Sequence, residues 1–232
     1  MTGRPSDPNL DVLSALLNDG VIAYPTEGVW GLGCLPTSEI AVQRILNIKR
    51  RHREQGLILV GSEIAHFDSY LEGLPNHKVT ELGRTWPAPV TFLIPDNGFC
   101  PDWVKGNHST VALRVSAHSV VQSLCNLVNG PIVSTSANRS GCAPALTEAA
   151  VRSVFGTEID LIVSGELSGP EGPSEIRDLT ILSCLGLFKT QAVNLLGDMF
   201  FESESKLIFF FILKSRSTRL LGKCGPIAIF SI

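Results

Sequence analysis

Hydrophobic and polar positions in the first 180 residues follow two repeating patterns. Short runs of apolar residues, many of them β-branched, predict strands, and apolar residues spaced three or four apart predict helices. The predicted strands cover residues 21–24, 57–60, 90–94, 110–115, 132–135, 161–164 and 174–179. The predicted helices cover residues 11–18, 39–49, 119–128 and 147–155. This alternation predicts one α/β domain over residues 1–180, in which helices cover a single mixed sheet.

Residues 181–232 depart from this pattern. They contain seven of the eleven phenylalanines, and the run Leu207–Leu213 has the profile of an aggregation-prone strand. We expect this segment to be an atypical hydrophobic extension that is not part of the native fold. An extra strand or helix that packs on the domain is the alternative.

The distribution of charge is more informative than its total. The 232 residues carry a net charge of −3, and 44% of them are hydrophobic, which excludes a disordered chain and gives no global signal for nucleic-acid binding. Residues 1–180 contain 13 basic and 19 acidic side chains, yet five of the basic ones lie together between Arg44 and Arg53. This cluster indicates a local anion site. Its alternative is a solvated helix end, where cations favour the helix dipole.

Cysteine usage and hydropathy bear on location. The six cysteines are scattered, without a C-x-x-C pair or the spacing of a zinc site, which suits a reducing compartment. The first nine residues lack the apolar run of a signal peptide, and the strongest apolar run has only seven residues, too few to span a bilayer. We therefore expect a cytoplasmic protein with no membrane segment.

Two polar segments interrupt or end predicted strands. Thr26 follows the first strand, where a turn with Gly28 could expose backbone N–H groups and a hydroxyl to a ligand, or could be an ordinary turn. Arg114 lies inside the apolar strand that begins at Thr110, and a buried arginine needs a partner. That partner is either a ligand carboxylate or a neighbouring Asp or Glu.

Two further segments combine cations and hydroxyls. Lys49 and Arg51 lie where the chain leaves a helix, a geometry that lets both side chains converge on one polyanion such as a phosphate chain. The strand at 132–135 ends in Ser134, Ser136 and Asn138, whose side chains can bind phosphate oxygens or an amine, although hydroxyl-rich turns are common.

In order and spacing, these segments resemble the YrdC-like family, in particular its short bacterial TsaC-type branch. The resemblance covers roughly residues 10–180 and rests on five motifs: Tyr-Pro-Thr-Glu around Thr26, Lys49-x-Arg51, Thr110 to Arg114, Ser136-x-Asn138, and Pro-Ser-Glu-Ile-Arg-Asp at 173–178. It implies a YrdC-like twisted open mixed sheet with flanking helices and a basic concave cleft. It also implies a nucleotidyltransferase that makes threonylcarbamoyl-AMP and pyrophosphate from L-threonine, bicarbonate and ATP, for modification of tRNA at position 37.

The resemblance also implies roles for individual residues. Threonine would be bound by Thr26, Arg114, Ser134 and Ser174. ATP would be lined by Lys49, Arg51, Thr110, Ser136, Asn138 and Pro144, and Lys49, Arg51, Ser136 and Asn138 would act in catalysis. Mg²⁺ would arrive with ATP and need no protein ligands. The product would pass to a threonylcarbamoyl-transferase complex.

Three points stay open at the level of sequence. The resemblance stops near Leu179-Thr180, where family members continue with a Thr-Gly turn and a basic stretch, which suggests a replaced C-terminus. A module that binds tRNA or double-stranded RNA without catalysis, as in ribosome maturation, is an alternative function. The net charge of the domain disfavours it, because non-specific RNA binding needs many cations. Carbamoyl transfer to another substrate is a third possibility.

Overall fold

The computed structural model describes residues 7–169, 172 and 174–179, and the expectations for residues 181–232 lie outside this part. Seven helices are described: α1 (Pro8–Leu17), α2 (Glu39–Lys49), α3 (Asp68–Leu71), α4 (Asn76–Thr85), α5 (Asp102–Lys105), α6 (Ser119–Val128) and α7 (Glu148–Phe155). Capping side chains mark four of the helix starts, at Asp7, Ser38, His118 and Thr147. The Ser38 hydroxyl accepts from the Ala41 N–H, and the Thr147 hydroxyl accepts from the Ala150 N–H.

The described strands form one mixed sheet. They are β1 (Ile22–Pro25), β2 (Trp30–Cys34), β3 (Ile58–Gly61), β4 (Val90–Pro95), β5 (Thr110–Val115), β6 (Ile132–Ser136), β7 (Leu161–Ile162) and β8 (Glu175–Asp178). Their order is β7-β1-β2-β6-β3-β5-β4-β8. The pairs β1/β7, β3/β5 and β4/β8 are parallel, and the others are antiparallel. The predicted mixed α/β sheet with flanking helices is confirmed.

Four of these elements were not predicted: β2, α3, α4 and α5. Strand β2 has a glycine at every second position, Gly31 and Gly33, which lowers strand propensity and predicts a turn instead. The structure pairs it with β1 and β6, and all five of its residues are buried. Helix α4 is mostly polar and buries only Leu82, so the sequence lacks the apolar stripe on which helix prediction depends.

The two faces of the sheet have different surroundings. Along β5, Val111, Leu113 and Val115 point into the main hydrophobic core, which also receives the apolar side of α2. Thr110, Ala112 and Arg114 alternate with them and point to the opposite face. Polar residues on this opposite face therefore come from several strands and can meet.

Helices α1 and α6 cover one end of that opposite face. Val12, Leu16, Val121 and Leu124 pack there against Ile22, Tyr24, Val60 and Ile132 in a second apolar cluster. The described helices leave the rest of the face uncovered, and it forms the floor of a cleft. The fold thus brings the ends of β1, β5 and β6 to a single concave surface.

Candidate active site

The cleft on the exposed sheet face has a volume of about 410 Å³ and collects most of the predicted site residues. Seven of the ten line it: Thr26, Arg51, Thr110, Arg114, Ser134, Ser136 and Ser174. Lys49, Asn138 and Pro144 are not among the lining residues. The described lining carries three cationic side chains, Arg51, Lys105 and Arg114, and one carboxylate, Glu27. The structure therefore joins segments that are more than 80 residues apart in sequence.

Thr26 is held by a tight turn between β1 and β2. Its hydroxyl donates to the Val29 carbonyl at 2.7 Å, and its backbone N–H donates to the same oxygen at 3.2 Å. The turn is a hairpin connection, because Pro25 pairs directly with Trp30 across the two strands. Because its proton is used inside the turn, the Thr26 hydroxyl offers the cleft an acceptor.

Arg114 forms a buried ion pair at the base of the cleft. Its Nη2 donates to Glu27 Oε2, and Ser116 Oγ donates to Glu27 Oε1 at 2.8 Å. Burial opposes ionisation of Glu27, but the Arg114 charge and the Ser116 hydrogen bond outweigh it and hold the pKa of the carboxyl below its usual value. Within the described part of the chain, the buried Arg114 Nε has no hydrogen-bond partner. Arg114 thus has a protein carboxylate as its partner and still keeps unused donor capacity.

The hydroxyls of two other strands complete this end of the cleft. Ser134 lies on β6 between Gly33 of β2 and Ile58 of β3. Ser174 precedes β8, and its hydroxyl shares a 2.8 Å hydrogen bond with Thr91, a fully buried residue of β4. Strand pairing fixes Ser134, and the bond to Thr91 fixes Ser174, so both serines line the cleft from defined positions.

Arg51 lies at the other end of the cleft, just beyond α2. The helix ends at Lys49, the left-handed backbone of Arg50 (φ 53°) turns the chain, and the Arg51 N–H donates to the Leu46 carbonyl at 2.9 Å. Arg51 Nη2 donates to the Gly56 carbonyl at 2.9 Å. Burial lowers the pKa of its guanidinium, and its Nε lacks a partner in the described part of the chain. An arginine with spare donors in a cleft is suited to bind an anion.

Lys49 lies beneath the cleft rather than in its lining, with only 3% of its surface exposed. Its Nζ donates to the Ser136 carbonyl, to the Asn138 carbonyl at 2.9 Å and to Asn138 Oδ1 at 3.0 Å. Burial, together with the nearby Arg51 charge, lowers its pKa to about 8. The two halves of the K-x-R…S-x-N motif therefore meet, as one hydrogen-bonded cluster.

Six polar residues in the cleft lining were not predicted: Glu27, Gln55, Lys105, His108, Ser116 and Thr135. Glu27 directly follows Thr26, and Ser116 continues the alternation that places Arg114 on the cleft face, so both had a signal in the sequence. Lys105 forms a 2.5 Å ion pair with Asp96, and the exposed His108 lies in a loop. Neither residue lies in a segment whose apolar periodicity would have predicted that its side chain faces the cleft.

The described residues contain neither a metal-binding cluster nor a helix that could cross a membrane. No group of three or more His, Cys, Asp or Glu side chains there is arranged to hold a metal ion. No helix in the same part of the chain combines the length and hydrophobicity that crossing a membrane requires.

The sheet, its flanking helices and the cleft with its three cationic side chains define an α/β protein with a basic cleft. A family model described as "Telomere recombination", which groups Sua5, YciO and YrdC proteins, matches residues 14–184. The chain therefore belongs to the Sua5/YciO/YrdC family, as the resemblance predicted.

Curated relatives carry a more specific name. A threonylcarbamoyl-AMP synthase of Pseudomonas fluorescens Pf-5 is 50% identical over 159 residues, which cover 68% of this chain and 85% of the relative. A protein of the same name from Hahella chejuensis is 48% identical over 166 residues, covering 72% of this chain and 90% of the relative.

Solved structures agree in fold. P. abyssi Sua5 in complex with L-threonine aligns with a TM-score of 0.69 and 28% identity over 76% of this chain, which spans about half (53%) of Sua5. E. coli YciO aligns with a TM-score of 0.63 at 21% identity, covering 75% of this chain and 85% of YciO, which supports the fold alone.

Proposed function

We propose that the chain is an enzyme that forms threonylcarbamoyl-AMP and pyrophosphate from L-threonine, bicarbonate and ATP. The observation that carries the proposal is the single cleft in which Arg51 and Arg114 lie with Thr26, Ser134 and Ser174. The names of relatives at about 50% identity support it and favour it over an RNA-binding module. The product would serve tRNA modification through a downstream transferase complex.

The two arginines fit the two anionic groups of the substrates. Arg114 would take the threonine carboxylate with its unused donors, while Glu27 keeps its guanidinium in place. Thr26, Ser134 and Ser174 would contact the rest of the amino acid. Arg51 would take the phosphate chain at the opposite end of the cleft, next to Thr110. Mg²⁺ would enter as part of the ATP complex, bound to phosphate oxygens.

The proposed chemistry has two steps. The threonine amine attacks the carbon of bicarbonate, an N–C bond forms, and water leaves to give a carbamate. A carbamate oxygen then attacks the α-phosphorus of ATP, and the bond to the bridging oxygen breaks so that pyrophosphate leaves. Both reacting partners are anionic, so positioning and charge neutralisation supply the catalysis.

The test is pyrophosphate release and incorporation of labelled bicarbonate, with omission of each substrate as a control. Arg51→Ala is expected to lower turnover at least about 10²-fold, the scale of losing one preorganised donor. Arg152→Ala is the matched control, because Arg152 forms an exposed ion pair with Glu148 on α7, outside the cleft lining. Near-wild-type turnover of Arg51→Ala would contradict the assignment, and threonine-independent pyrophosphate release would contradict the function.

A further inference from the structure

The cluster formed by Lys49, Ser136 and Asn138 has a defined hydrogen-bond polarity. A lysine ammonium has three N–H donors, and Lys49 Nζ meets three oxygens. With a pKa of about 8, the group is mainly protonated at neutral pH, so all three donors are present and all are used. Lys49 thus has no donor left for a phosphate in this arrangement.

The amide of Asn138 is oriented by its two ends. Its Nδ2 donates to the Cys142 carbonyl at 2.6 Å, and its Oδ1 accepts from Lys49. Since Oδ1 can only accept, the 2.7 Å contact between Ser136 Oγ and Asn138 Oδ1 uses the serine proton. Lys49 therefore sets the direction of the Ser136 hydroxyl indirectly, because it orients the Asn138 amide oxygen that accepts the serine proton.

Ser136 is the member of this cluster that lines the cleft. Because its proton points to Asn138, its oxygen presents only lone pairs to a ligand. An acceptor repels a phosphate oxygen and suits a hydroxyl or N–H group. Arg51, whose side chain lines the cleft, is the half of the K-x-R pair that is suited to phosphate.

Backbone contacts join the same two segments. The Ser140 N–H donates to the Lys49 carbonyl at 2.7 Å, and Arg139 Nη1 donates to the Ile48 carbonyl. Together with the three bonds of Nζ, these contacts fix residues 136–142, here called the β6 loop, to the end of α2.

We propose that Lys49 is a positioning residue that holds the β6 loop so that Ser136 offers a hydrogen-bond acceptor to a hydroxyl or amine of a substrate, while Arg51 alone of the pair binds phosphate. This inference rests on the proposed function. It states which kind of substrate group contacts Ser136, namely a hydroxyl or amine that donates a hydrogen bond. The group comes either from the ribose of ATP or from threonine, and the two sources are separable by experiment.

The first experiment measures binding by calorimetry, with pyrophosphate as a phosphate-only probe. Arg51→Met is expected to weaken pyrophosphate binding at least about tenfold, as for loss of a hydrogen bond to a charged group. Ser136→Ala should leave pyrophosphate binding within about threefold and weaken either ATP or L-threonine, which identifies the source of the donor group. A tenfold loss of pyrophosphate binding in Ser136→Ala would overturn the assigned polarity.

The second experiment follows amide hydrogen exchange over residues 137–145. Lys49→Met, of similar length but without donors, is expected to speed exchange there at least about tenfold. Lys78→Met on α4, outside the cleft lining, is the control and should leave exchange unchanged. Unchanged exchange in Lys49→Met would overturn the positioning role, as would a loss of pyrophosphate binding equal to that of Arg51→Met. If Lys49→Met does not fold, the Ser136→Ala arm still decides the polarity.

These readouts separate the inference from the proposed function. A wild-type protein that binds neither ATP nor L-threonine would contradict the function, and the exchange experiment would still test the role of Lys49 in the β6 loop.

Discussion

At the scale of single residues, the ion pair between Glu27 and Arg114 explains how a strand can carry a buried arginine. Both side chains are mostly buried, at 15% and 13% exposure, so an unpaired charge there would be costly. Glu27 supplies the compensating charge and occupies one Nη atom, while other donors of the guanidinium stay available. The sequence left open whether Arg114 pairs with a protein carboxylate or with a ligand carboxylate. The structure pairs it with Glu27 through one Nη atom, so a ligand carboxylate could bind to the same guanidinium as well.

This pair predicts a pH-dependent stability. The pKa of Glu27 is lower in the folded protein than its usual 4.5, so its carboxylate stabilises the fold above that pH and the contribution is lost as pH falls through the folded pKa. Glu27→Gln should therefore unfold at lower urea concentration than the wild type at pH 7, and the difference should shrink in acid. Glu148→Gln, in an exposed pair on α7, is the control and should show a smaller difference. A difference that is constant with pH would contradict the prediction.

Lys49 predicts a second pH dependence, of the same sign but at alkaline pH. Its pKa is about 8 in the folded protein against 10.5 in an unfolded chain, so the unfolded state binds more protons between these values. Stability relative to Lys49→Met should rise with pH over this interval. A neutral amine keeps two N–H groups for three oxygens, so the protection of the β6-loop amides, taken relative to their intrinsic exchange rates at each pH, should fall over the same interval. Urea unfolding at pH 7 and 10 measures the stability, and hydrogen exchange at the same two pH values measures the protection of the β6 loop. If the stability of the wild type relative to Lys49→Met falls between pH 7 and 10, the lowered pKa of Lys49 is contradicted.

At the scale of elements, sequence periodicity predicted the parts that bury a regular apolar face. The helices at 39–49 and 119–128 and the strand at 110–115 have the predicted bounds, because a clear period and a polar cap or turn frame each one. Strand β2 has no such signal, because its two glycines lower strand propensity, and the need for Gly33 comes from its neighbours Val133 and Tyr24.

The residues of the site could also be predicted only in part, namely where a regular strand pattern places them at the end of a strand. Side chains at strand ends, such as Thr26 and Ser136, could be expected to meet ligands. Whether a side chain enters the cleft or supports it from below depends on packing across several strands, so the separate positions of Lys49 and Arg51 could not be read from the sequence. Glu27 could not be assigned to the site from the sequence, because its role depends on the ion pair with Arg114, which only the fold brings together.

The glycines of β2 lead to a prediction about the packing of β2 against β6, the strand that carries Ser134 and Ser136. A Cβ at Gly33 would lie 2.5 Å from the Val133 carbonyl of β6 and 2.8 Å from the Tyr24 ring, so Gly33→Ala must displace a strand. We expect a loss of about 1–3 kcal/mol in the free energy of unfolding, as for overpacking. A Cβ at Gly31 would have no neighbour closer than 3.4 Å, so Gly31→Ala is the matched control and should cost less. Equal losses in urea titrations would contradict this account.

At the scale of the whole molecule, net charge and site charge have opposite signs. The residues before 181 carry an excess of acidic groups, whereas the described cleft lining has three cations and one carboxylate. Only local charge focuses a field on a ligand, so an acidic protein can still attract ATP to its cleft. The same balance gives little attraction to a long polyanion, which favours a small anionic substrate over RNA.

The extent of the functional domain gives the last prediction. The family model matches up to residue 184, and the described cleft is complete once β8 pairs with β4 and contributes Ser174 and Ile176. A variant of residues 1–184 should therefore unfold in one cooperative transition and bind L-threonine as tightly as the full chain. A variant of residues 1–172 lacks β8, exposes the edge of β4 and removes a cleft wall, so it should lose stability and threonine affinity together. Thermal unfolding and calorimetry of both variants test this. If residues 1–184 fail to fold while the full chain folds, the hydrophobic extension at 181–232 belongs to the domain, contrary to our expectation.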